Sequence, residues 1–184
     1  MKNVLPLKVS FLFTVVLFFA SCEKLKDAVK VNVPMQTADV SFTIAPQQAG
    51  TQTLSDFITN LNVDSVIKAN NTQFGVSNIR SVRITSVRIT VLNSDIQDHF
   101  GVLSDCKMDF SSNNKPTKVT LASLSNNPDA NTSVLDLPVN SSLELKEYFS
   151  ATAFNYTLSG TTRRAITKTL ECRATVKFDV QVGL

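Results

Sequence analysis

The stretch Leu170-Glu171-Cys172-Arg173-Ala174-Thr175-Val176-Lys177-Phe178-Asp179-Val180-Gln181-Val182 alternates without a break. Leu170, Cys172, Ala174, Val176, Phe178, Val180 and Val182 share one parity, and every residue between them is polar or charged. Side chains of a strand point to opposite faces in turn, so this is one long strand with one buried face. A helix would scatter the same apolar residues around its axis. The core is expected to be densest along this apolar face.

The same period recurs outward from it. Ala153–Ser159 turns Phe154, Tyr156 and Leu158 inward, and Gly160–Ala165 reads as a loop carrying Arg163 and Arg164. Ser104–Ser111 puts Cys106, Met108 and Phe110 opposite Asp105, Lys107 and Asp109. Ala38–Ala45 alternates Val40, Phe42 and Ile44 with polar residues, and Lys118–Leu124 gives a further strand. Val134–Val139 is broken by Pro138, which has no N–H to give a neighbour, so it belongs at an edge. Leu143–Phe149 reads as a helical turn bringing Leu145, Tyr148 and Phe149 to the core, and the polar run Ser125–Ser133 as an exposed loop.

Ser81-Val82-Arg83-Ile84-Thr85 is followed at once by Ser86-Val87-Arg88-Ile89-Thr90, the one internal repeat. Its odd period puts Val82 and Ile84 on one parity and Val87, Ile89 and Val91 on the other. A regular strand would swap its apolar face near Thr85-Ser86, and no Gly is there to make a tight hairpin. A β-bulge, or a strand bending from one sheet into the other, is expected instead. Arg80, Arg83 and Arg88 read as solvent-face charges that blunt strand pairing.

Leu54, Phe57, Ile58 and Leu61 follow i, i+3, i+4, i+7 spacing, which predicts a short helix over Thr53–Leu61. A second is expected over Asp64–Ala69 with Val66 and Ile67 inward. The fold class that follows is mainly β: a two-layer antiparallel β-sandwich, Ig-like, with seven or eight strands and one or two short helices.

The N-terminus has a different logic. Lys2 and Lys8 precede an apolar run from Val9 that ends at Phe18-Phe19-Ala20-Ser21-Cys22, the pattern of an export signal. The run is short for a membrane span. Ala20-Ser21-Cys22 resembles the lipobox of bacterial lipoproteins, with Phe19 where that family usually has Leu or Val. The resemblance implies a signal peptide over residues 1–21, cleavage before Cys22 and diacylation of its thiol. Residues 22–36 then read as a lipidated tether, solvated and long enough to let the domain sit clear of the bilayer, and 37–184 as the β-sandwich domain. The layout of Gly75–Ile84, Leu143–Phe149 and Phe154–Val182 is similar to small Gram-negative envelope lipoproteins whose β-sandwich has no assigned activity.

Charge and motif content narrow the chemistry. The chain has 18 Lys+Arg against 15 Asp+Glu, and two of the basic residues lie in the signal. The near-balance gives no basic face for nucleic acid. His99 is the single histidine and reads as an exposed loop residue beside Asp95 and Asp98. Those two carboxylates, without a Gly-punctuated ligand loop, make a poor cation site, so neither metal nor cofactor is expected. Asp136, Glu144 and Glu147 sit on different elements and form no pair for acid–base work. Cys106 and Cys172 both point inward, either as small core hydrophobes or, in an oxidising compartment, as a disulfide pair.

The expected function is therefore a membrane-anchored cell-envelope lipoprotein, on the periplasmic or surface face of the outer membrane. Its sandwich would be a non-catalytic binding or structural module. Its partners would be the membrane, through the lipid, and a protein or glycan. The alternative is a carrier of an apolar ligand or lipid held in the core.

Overall fold

A computed structural model describes residues 30–37 and 39–184. The expected signal, Cys22 and most of the expected tether lie outside the described residues. Among the described residues nine strands form two antiparallel sheets that pack face to face. In chain order they are β1 (Lys30–Gln36), β2 (Val40–Ile44), β3 (Gly50–Asn60), β4 (Ile79–Val91), β5 (Leu103–Ser112), β6 (Val119–Leu124), β7 (Val134–Leu137), β8 (Ala153–Thr162) and β9 (Leu170–Gly183). One sheet runs β1-β9-β4-β7, with β2 also on β9; the other runs β3-β8-β5-β6. The long alternating strand is thus the spine of the five-stranded sheet, and its apolar parity is buried from Leu170 to Val182.

The repeat solves its parity conflict with a bulge. Ile84 pairs with Phe178 and Ser86 with Lys177, so Thr85 is the extra residue. A second irregularity takes up Arg80. One residue absorbed per bulge returns Val82, Ile84, Val87, Ile89 and Val91 to the same buried face, each opposite an inward residue of β9. The strand stays in one sheet throughout. Arg80, Arg83 and Arg88 do face solvent, but β4 is an interior strand along Val87–Thr90 and they guard no edge there. Beyond the reach of β7, Glu144 and Leu145 take over as β4's neighbour: Val82 N donates to Glu144 Oε1 at 2.8 Å, and Leu145 N donates to Val82 O at 2.9 Å.

Two sequence expectations are corrected. Thr53–Leu61 is not a helix: Thr53–Asn60 is most of β3, which pairs with β8. A bulge between Thr53 and Ser55 puts Leu54 and Phe57, three residues apart, on the buried face and so imitates helical spacing. Ile58 betrays the strand, since it points out and is 61% exposed. Lys30–Gln36, expected to be solvated, is instead a strand that pairs residue for residue with β9. Val33 and Met35 alternate inward there, and Pro34 is tolerated because β1 is an edge strand.

The second helix forms as α1, Val63–Asn70, capped by the Asn62 side chain accepting from Ser65 N at 3.0 Å. It buries Val63 and Ile67. The turn at Lys146–Tyr148 is a short 3-10 helix that delivers Leu145, Tyr148 and Phe149 to the interior as expected. Phe110 is the hub of that interior. Its ring lies 5.2–6.4 Å from those of Tyr148, Phe149, Phe154, Tyr156 and Phe178, which come from both sheets and the 3-10 turn.

Candidate functional site

The polar residues that carry most chemical potential gather at one end of the sandwich, where β9 begins. Three loops meet there: Asn93–His99, Asn126–Ser133 and Arg163–Thr169. Asp95 opens the first with its side chain accepting from the N–H groups of Gln97 and Asp98, both at 2.8 Å, a self-closing Asx turn. The Lys168 ammonium at 2.5 Å, then those N–H groups, lower its pKa to about 2. Asp98 is 1% exposed and spends both oxygens on Thr167, from N at 2.8 Å and Oγ1 at 2.5 Å.

His99 is not the exposed loop residue expected. It is 3% exposed, because the 3-10 turn Phe100–Val102 carries it under the Asn126–Ser133 loop. Gly101 N donates to Nδ1 at 3.0 Å, and Arg164 Nη2 lies 3.1 Å from Nε2. A neutral imidazole has one acceptor nitrogen and both of its nitrogens here face donors, so only one contact is a full hydrogen bond. Gly101 is required by the packing: a Cβ would lie 2.3 Å from Ala130 O.

Arg163 and Asn127 lock the corner. Asn127 is 5% exposed, unlike the rest of its polar loop, and its side chain donates to Phe100 O at 2.9 Å and Leu103 O at 3.0 Å. Asn126 precedes it at φ 57°, a left-handed conformation that Asn tolerates. Arg163 Nη1 donates to Gly101 O and Leu103 O at 2.8 and 2.6 Å, and Nη2 to Asn127 O. Arg164 Nη1 reaches both carboxylate oxygens of Asp129 at 3.0 Å and holds that carboxyl below its usual range. Both arginines lie in the loop after β8, which begins at Arg163 because β8 runs on to Thr162, and both side chains are taken up by the cap. Sequence reasoning placed Arg163 in its loop without a role and missed Asn127 and Thr167; the Asn126-Asn127-Pro128 turn signal is a trace of Asn127.

The other candidate groups are dispersed. Asp136 pairs with Arg88 at 2.7 Å, Glu147 with Lys115, and Glu144 accepts from Ser81, Val82 and Lys146. Cys106 and Cys172 are free thiols buried on opposite sheets. Burial pushes both thiols up to about 12. Cys22, the expected lipidation site, lies outside the described residues. Surface hollows lie outside the sheets; the one beside Cys106 has about 260 Å³ and is lined by Thr51, Lys107, Ser123, Ser159 and Thr161 among others.

No known family's sequence model matches the chain, and no curated protein is similar to it. Solved structures offer remote likenesses. The infectious bursal disease virus Gt strain structure matches 84% of this chain at 14% identity and TM-score 0.40, and the chain spans 33% of that one. The Desmodium yellow mottle tymovirus structure matches 85% at 10% identity and TM-score 0.30, over 89% of that chain. An arabinose-bound α-L-arabinofuranosidase matches 77% at 11% identity and TM-score 0.34, over 19% of that chain. Likenesses this distant carry no functional argument.

Proposed function

We propose that this chain is a membrane-anchored cell-envelope lipoprotein whose β-sandwich serves as a non-catalytic binding or structural module. The observation that carries the reading is the apolar run from Val9 closing on Ala20-Ser21-Cys22, a few residues ahead of a folded domain that begins at Lys30. A diacylated Cys22 would hold the domain to the outer membrane, on its periplasmic or surface face, where it meets a protein or glycan partner. The side chains of the cap suited to acid–base work are committed to structural contacts. Asp98 braces Thr167, His99 braces Gly101 and Arg164, and Asp95 closes its own turn. That commitment supports a scaffold in preference to a reaction centre.

The alternative, an apolar carrier, has less support because rings fill the space such a ligand would need. Phe42, Phe57 and Tyr156 stack at 4.6 and 5.2 Å, and Phe149 meets Phe178 edge-on at 4.9 Å. The test of the anchor is Cys22→Ala expressed in a Gram-negative host. The variant is expected to lose acyl labelling and to move from the membrane pellet to the soluble fraction. Unchanged pelleting and labelling would overturn the proposal.

A further inference from the structure

The position of β1 decides which end of the sandwich meets the membrane. Lys30 pairs with Gly183 at the far end of β9, and Ile79, where β4 begins, pairs with Val182 beside it. Asn78 Nδ2 donates to Gly183 O, which brings the 3-10 turn Val76–Asn78 to the same end. Like the cap at the start of β9, which exposes Leu92 and Ile96, this end carries exposed apolar side chains. It exposes Val76 (36%) and Leu184 (52%), with Lys30 and Arg80 as exposed cations beside them.

Two lengths then settle the geometry. From Cys22 to Lys30 the chain takes eight residue steps, which reach about 28 Å at full extension. The 14 residues of β9 span about 45 Å at strand rise. If lipid holds Cys22 at the bilayer surface, Lys30 stays within about 28 Å of it. Turning the sandwich over, so that the cap rests on lipid, would lift Lys30 by about 45 Å and exceed the tether.

We infer that the Lys30 end is a membrane-docking surface, held against the lipid headgroups, and that the cap carrying His99, Arg164 and Ile96 faces away. The occupant is the bilayer itself, because the chain outside the folded domain leads there and is too short to let the cap rest there instead. Exposed apolar side chains interspersed with cations are suited to a headgroup layer, which takes both kinds of group. The distal cap, stiffened by its hydrogen bonds and crowned by Ile96 at 76% exposure, is left as the face open to the compartment. This inference rests on acylation at Cys22, and the test separates the two.

Full-length acylated protein is reconstituted in phosphatidylethanolamine–phosphatidylglycerol vesicles containing a nitroxide-headgroup lipid. A fluorophore is placed on Ser77→Cys at the Lys30 end, or on Ile96→Cys in the cap. Gln73→Cys and Asn131→Cys give a second pair should either variant fold poorly. Cys106 and Cys172 are buried and stay unlabelled in the folded state. Labels at Ser77 and Gln73 are expected to be quenched several-fold more strongly than those at Ile96 and Asn131. Equal or reversed quenching in protein that floats with the vesicles overturns the orientation and leaves the anchor standing. Protein that fails to float overturns the anchor and the orientation with it.

Discussion

The aromatic interior and the polar cap hold the same sandwich together by opposite means. Around Phe110 the contacts are apolar and come from both sheets, so each ring's burial is shared among many neighbours. In the cap the contacts are directional and made largely to backbone carbonyls. Burial of area is non-directional and tolerates repacking, whereas a buried carbonyl left without its donor carries its full desolvation cost. The interior therefore sets how stable the fold is, and the cap sets the shape of one end.

Removing the hub tests the first half of that contrast. Phe110→Ala should destabilise the domain by about 3–5 kcal/mol, read from the shift in the urea midpoint, because the cavity left among five rings cannot fully collapse. Asn127→Ala should cost less, about 1–3 kcal/mol, since it strips a buried donor from Phe100 O and Leu103 O. Its distinguishing sign is local: amide exchange should quicken across Asn93–Leu103 while the β4·β9 ladder stays protected. Equal losses for the two variants, or exchange spread evenly over both sheets, would erase the distinction between interior and cap.

A smaller effect follows from the thiols. The ordinary value for Cys106 and Cys172 is 9.0, and burial raises both to about 12. The stability they contribute by staying neutral is complete below pH 9 and declines as pH rises toward 12. A Cys106→Ser, Cys172→Ser double variant should flatten the alkaline arm of the stability profile over that window. In the unaltered protein both thiols should resist alkylating reagents at neutral pH until denaturant is added. Rapid alkylation of the folded protein would contradict their burial.

The same contrast explains what could be read from the sequence. Val182 back to Leu170 is legible because a strand's period is written in consecutive residues, and the repeat at Ser81–Thr90 announced its own bulge by breaking that period. β3 was misleading for the same reason in reverse: one bulged residue at Thr53–Ser55 turned a strand's spacing into a helix's. β1 was hidden by Pro34 and by the charged residues leading up to it. The cap could not be read at all in this way. Asn127 meets Arg163 across 36 residues, His99 meets Arg164 across 65 and Asp98 meets Thr167 across 69. Such pairings depend on where β5, β8 and β9 deliver their loops, and no local period encodes that. His99 looked exposed because its neighbours in sequence are polar, while its neighbours in space are the turn Phe100–Val102 and the loop pressed against Gly101.

The proposed anchorage of the domain at a membrane depends on one thiol. Mass spectrometry of the N-terminal peptide, taken from membranes of a Gram-negative host expressing the full chain, tests it directly. Cys22 is expected as residue one, carrying diacylglycerol on its sulfur. An unmodified Cys22, or a chain beginning at any other residue, would contradict the account.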